Sequence, residues 1–126
     1  MSLVLDSGAL LAVERNDRET VALIKREFLA NRVPLTHGGV IGQVWRGGAG
    51  RQVNLGRLLP ALDVRPLDAA LGRRAGMLLR ATRTADVIDA ALALLATEGD
   101  SLLTSDPDDL AVLVAAAGTH ADVVRI

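Results

Sequence analysis

Short apolar runs alternate with helical segments from one end of this chain to the other. LVLD (3–6) has the look of a buried strand and leads into the short helix SGALLAVER. DRETVALIKREFLAN (17–31) is the clearest amphipathic helix, with Val21, Ile24, Phe28 and Leu29 near a 3.6-residue spacing. RVPL (32–35) is β-like and is closed by THGG. Residues 39–46 read as a helix, GGAGR as a flexible break, and QVNLGRLLPAL as a further helix ended around Pro60. DVRPL (63–67) is a short strand, followed by a helix over 68–82 with Asp68 as N-cap. DVIDAALALLATEG (86–99) is apolar on most sides, hence a buried helix, with Gly99 ending it. SLLTSD (101–106) is a strand, PDDLAVLVAAAG a helix with Pro107 at its first position, and ADVVRI a last strand. Nothing repeats and no linker intervenes, so residues 1–126 are expected to form one domain. The alternation predicts an α/β fold: a three-layer α/β/α sandwich with a central parallel sheet. Sites in such sheets form at the carboxyl ends of the strands.

Half of the residues are hydrophobic, enough for one core at this length. Trp45 and Phe28 are the only aromatic residues, so that core is built from Leu, Val, Ile and Ala. The net charge of −1 excludes a generally basic nucleic-acid coat, and any such contact must come from a local patch. The absence of cysteine excludes disulfides, thiolate nucleophiles and Cys-based zinc sites. MSLVLDSGALLAVERND has no basic region before its apolar run, which Asp6 breaks, so it is not read as a signal peptide. No apolar stretch reaches membrane-spanning length without a charge. A soluble cytoplasmic protein without membrane contact is expected.

The acids carry the functional argument. Asp6 and Asp106 each end an apolar run, and each has a plain reading as a helix N-cap. Asp108 and Asp109 suit the positive end of the following helix. Asp86 and Asp89 can be explained as N-cap and N3 of their helix. Asp89, however, heads the apolar run AALALLA, where an acid is costly unless it is paired or binds a metal. Two strand-end acids would share one rim of a parallel sheet, and Asp89 could reach toward them. Like charges held close repel, and a divalent cation relieves them. Oxygen ligands without His or Cys suit Mg²⁺ or Mn²⁺.

Four stretches in order, VLDSGALLAVERND, GGVIGQVWRGG, DVIDAALALLA and LLTSDPDDL, resemble a PIN domain, in particular the VapC-like toxin ribonucleases of type II toxin–antitoxin pairs. The resemblance covers nearly the whole chain. It implies an α/β/α sandwich in which about four acids hold Mg²⁺ or Mn²⁺ and RNA phosphodiesters are cut. Carried across by position, the first acid is Asp6, the third Asp89 and the fourth Asp106, these three being the implied metal ligands. The second position, usually Glu, falls on Gln43, which departs from the family. Asp86 is a supporting candidate. Thr104 lies where the family commonly has a small hydroxyl residue that helps orient a ligand, although an ordinary strand threonine is the preferred reading. Arg46, in a Glu-x-x-Arg-like stretch, and Arg51 are candidates for RNA phosphate. His37 and His120 read as isolated loop histidines.

The function expected from the resemblance is a metal-dependent endoribonuclease toxin, paired as a homodimer and held by a small antitoxin protein. The amphipathic helix over 17–31 and the apolar face of the first helix are candidate docking surfaces, with ordinary core packing as their plain alternative. A rival is a PIN-fold protein that binds RNA or a partner but cuts poorly, since one ligand carboxylate is missing at Gln43. A phosphoaspartate receiver would need a lysine at a late strand end, but Lys25 lies in an early helix. A haloacid-dehalogenase-like phosphatase would need an acid where Gly8 stands.

Overall fold

A computed structural model of the chain describes residues 1–48 and 50–126. The expected break over 47–51 includes Ala49, which lies outside the described residues. Five strands, β1 (Leu3–Leu5), β2 (Leu35–His37), β3 (Asp63–Arg65), β4 (Ser101–Thr104) and β5 (Asp122–Arg125), form one sheet in the order β3-β2-β1-β4-β5. Every pairing is parallel, as the alternation requires. Helices α1 (Ser7–Glu14), α2 (Arg18–Leu29), α3 (Gly38–Val44) and α4 (Val53–Leu58) follow the two steps from β1 toward β3. Helices α5 (Ala69–Thr82), α6 (Val87–Leu95) and α7 (Pro107–Ala117) follow the steps toward β5. Right-handed crossovers running in opposite directions put the two groups on opposite faces, giving three layers. The chain reverses its direction of travel between neighbours β1 and β4, and a crevice opens at the carboxyl ends of strands at such a switch point.

The core is aliphatic. Val4 and Leu5 of β1, Leu102 and Leu103 of β4, Leu10 of α1 and Ala90–Ala93 of α6 are buried between the layers. Among the described residues no helix is long and apolar enough to cross a membrane.

Several boundaries differ from expectation for local reasons. The second strand lies at Leu35–His37, not at 32–35, because Pro34 has no N–H to give a ladder. Its carbonyl still accepts the Asp63 amide at 2.9 Å. Leu29 is 86% exposed, because it sits five residues beyond the buried Ile24 and so turns away from that face. The helix expected to end around Pro60 stops at Leu58, and Pro60 lies in a 3₁₀ turn over Leu59–Ala61. The buried helix stops at Leu95, short of Gly99. There Asp100 is buried and accepts the Thr97 amide at 2.8 Å, the Thr97 hydroxyl at 2.9 Å and the Ser2 amide at 2.7 Å. This acid is fully employed in closing the turn.

Candidate functional site

β1 and β4 run side by side with Leu5 opposite Leu103, and the Asp6 amide donates to the Leu103 carbonyl at 3.2 Å. Asp6 therefore leaves the sheet beside Thr104. It is 4% exposed and serves as N-cap of α1, accepting the Ala9 amide at 2.9 Å. Burial pushes its carboxyl above the ordinary range, while hydrogen bonds from Thr104 and from the Ala9, Gly8 and Ser105 amides pull it back.

Thr104 is fully buried, and its hydroxyl accepts the Asp106 amide at 2.8 Å. The same side chain lies beside Asp6 and draws that carboxyl down against the effect of burial. It is more than the strand threonine that β-propensity suggests. The strand ends at Thr104, and Asp106 stands in the N-cap position of α7. Its carboxylate makes no cap bond, which leaves it free to face outward.

Asp86 caps α6, accepting the Asp89 amide at 3.0 Å. That bond sets the first turn and turns the half-buried Asp89 toward the crevice. The Asp89 carboxyl is pushed up to about 6, first by burial and then by the charges of Asp86, Asp6, Asp106 and Asp109. Asp109 is also raised, by its hydrogen bond with Asp106 and by that group's charge. Thr84, Asp86, Asp89, Asp106 and Asp109 line one cleft of about 270 Å³, floored by Leu113. Asp6 is buried behind this cleft and acts on Asp89 through its charge. Among the described residues no three acidic or histidine side chains converge closely enough to hold a metal as they stand.

Gly8 allows the crevice to close. A Cβ there would overlap the Ser105 side chain and lie 3.0 Å from its amide nitrogen. A larger side chain at this position would have to displace Ser105.

The remaining candidates lie elsewhere. Gln43 is exposed on α3, one turn beyond Gly39 on the same side, and does not line the acidic cleft. Gly39 itself abuts the Ile88 side chain. The Arg46 guanidinium donates to the carbonyls of Gly42 and Trp45 at 3.0 and 2.8 Å and of Gln43 at 3.3 Å, closing the C-terminus of α3. Arg46 and Arg51 line a separate recess shared with Glu14 and Gln52.

Two structural residues escape a reading of the sequence. Gln52 is buried, accepts the Arg46 and Gly47 amides, and donates to Glu14 and to the Val44 carbonyl. Nothing in its local sequence marks it. His37 is not in a loop. It ends β2, is fully buried and caps α3: Nδ1 accepts the Gly39 amide at 3.1 Å and Nε2 meets the Ile88 carbonyl at 2.9 Å. A polar residue between an apolar strand and a helix marks an N-cap, and that signal is present in PLTHGG. His120 does lie outside the helices and strands, exposed and 2.9 Å from Glu98.

A scan against protein-family models returns no match, and a search of curated proteins returns none either.

Proposed function

We propose that the protein is a metal-dependent endoribonuclease of the PIN-domain kind, similar to the VapC-like toxins. The observation that carries this reading is Asp89. Its carboxyl is raised to about 6 by burial and by four further acids, at the crevice where the sheet reverses direction. A purely structural acid is normally satisfied, as Asp100 is. Uncompensated carboxylates in a cleft are instead suited to a cation.

The donor chemistry fits Mg²⁺ or Mn²⁺: oxygen only, anionic and partly desolvated. Asp89 and Asp106 would hold the ion, with Asp6 and Asp86 in support. Asp86, Asp106 and Asp109 are exposed and line the same cleft as Asp89. Bound there, such an ion activates water and stabilises charge developing on a phosphate. The chain's own part is positioning. Thr104 fixes the Asp106 amide, and Asp86 fixes the turn that presents Asp89.

A second reading, a PIN-fold protein that binds but cuts weakly, draws on Gln43. A neutral amide at that position supplies neither charge nor a general base. For partners, the reading includes an antitoxin and a homodimer in the cytoplasm. In its favour is an open apolar cleft of about 370 Å³ between α1–α2 and α4, lined by Val13, Ile24, Phe28 and Leu58 with Lys25 and Arg57.

The test is cleavage of single-stranded RNA by the purified protein with Mg²⁺ or Mn²⁺ and with chelator. The reading expects cutting that needs the ion and is lost in Asp89→Asn and Asp106→Asn. Binding without cutting at any metal concentration would favour the second reading.

A further inference from the structure

We infer that the outer face of α5 is a track for the phosphate backbone of single-stranded RNA, leading into the acidic cleft. The inference rests on the ribonuclease reading for the identity of the ligand.

Residues 69–85 contain Arg73, Arg74, Arg80 and Arg83 and no acid, within a chain whose net charge is −1. The buried side of α5 is Leu71, Ala75 and Leu78. At 100° per residue, Arg73, Met77 and Arg80 fall along the opposite, most exposed line, and Thr84 follows just beyond the left-handed cap at Arg83. All four are exposed, and Met77 is 73% so. Arg74 lies about a quarter-turn to one side, and Arg83 caps the helix in the left-handed conformation. Thr84, at its end, lines the acidic cleft beside Asp86. The stripe thus runs about 10 Å along the helix from Arg73 to Arg80, and the chain just past the helix end reaches the acidic cleft at Thr84.

Intramolecular roles do not account for these cations. Among the described residues none of the four forms an ion pair. With no acid between 69 and 85, Arg73, Arg74 and Arg80 have no acidic partner three or four residues away. The helix dipole favours Arg80 near the C-terminus, but offers nothing to Arg73 and Arg74 in the other half. By contrast, the guanidinium of Arg46 is occupied by the end of α3. Free planar guanidinium forks in a row suit successive phosphates, and the exposed Met77 between them offers an apolar surface to a base.

The complementarity is also directional. Cations attract the strand along α5, while the acids at its end repel phosphate unless a metal is present. Backbone binding should therefore persist in chelator, where cleavage does not.

The test is fluorescence anisotropy of a labelled single-stranded RNA oligonucleotide of mixed sequence, titrated in EDTA at several salt concentrations. Each phosphate contact contributes about 0.7 to the slope of log K against log salt for a single strand. Arg73→Ala with Arg80→Ala should lower that slope by about 1.4 and weaken binding. Arg73→Lys with Arg80→Lys should retain most of it, and Arg18→Ala on α2 should match the wild type. Wild-type affinity and slope in the double alanine variant would overturn the inference while leaving the ribonuclease reading intact. So would loss of binding to polyglutamate, rather than to RNA, in that variant, since the face would then serve an acidic protein. RNA binding through α5 without cutting under any metal would support the track and overturn the ribonuclease reading.

Discussion

His37 Nε2 lies 2.9 Å from the Ile88 carbonyl, tying the end of β2 to the first turn of the helix that carries Asp89. Because Nδ1 accepts the Gly39 amide, the ring proton belongs on Nε2, where it donates to Ile88. The neutral imidazole satisfies both partners. An imidazolium would set an N–H against the Gly39 amide. The cap of α3 and the placement of α6 thus depend on one buried, uncharged ring.

This gives the first prediction, a pH dependence with two opposing parts. Burial lowers the His37 pKa below its ordinary 6.5, against the opposing pull of the Ile88 bond. The unfolded chain therefore takes up this proton first. Stability from neutral His37 is present above 6.5 and lost as pH falls through its lower folded value. Asp89 acts in the opposite sense: its contribution is fully present below 3.8 and lost as pH rises through about 6. In chelator, between about pH 7 and about pH 5, His37→Gln should gain more stability on acidification than the wild type, and Asp89→Asn less. Urea unfolding across that range measures both, and unchanged pH profiles in the two variants would refute the assignment.

Gly8→Ala should destabilise the fold by about 1–3 kcal/mol, the usual range for overpacking a tight site. The added methyl meets Ser105, whose neighbour is Asp106, so the variant should also weaken any metal response. Chemical denaturation with and without Mn²⁺ separates the two effects. A variant as stable as the wild type would show that α1 and the loop before α7 are not in firm contact.

The fold was largely legible because alternation and binary pattern are local properties. Asp68 as cap, Pro107 at the start of α7 and the parallel sheet all follow from short stretches. The candidate site was legible only in its acids. Asp6, Asp89 and Asp106 stand out by where they interrupt apolar runs. Thr104 sits beside Asp6 and His37 meets Ile88, neighbours distant in sequence that only the fold brings near. Gln52 joins three segments and has no local signature at all. The arginines of α5 were visible as letters, but their alignment on one face, ending at the cleft, needed the helix boundaries.

Gln43→Glu tests whether Gln43 belongs to the candidate site. Gln43 is exposed on α3, on the side that meets Ile88. If it reaches the cation, the added carboxylate should tighten Mg²⁺ or Mn²⁺ binding, leave the ribonuclease rate equal or faster, and lower stability in chelator. Identical metal titrations for the two proteins would place Gln43 outside the site.

The central claim is that the acids around Asp89 hold a divalent cation. Its most direct measurement is the melting temperature of the wild type and of Asp89→Asn, each in chelator and in Mn²⁺ at neutral pH. A ligand that binds only the folded state adds about 2.7 kcal/mol at a hundredfold excess over Kd. The account predicts a rise of several degrees with Mn²⁺ in the wild type and its loss in Asp89→Asn. It also predicts that Asp89→Asn melts higher than the wild type in chelator, because the variant removes a charge from a repelling cluster. A wild-type melting temperature indifferent to Mn²⁺ and Mg²⁺, together with no gain in Asp89→Asn, would contradict the account.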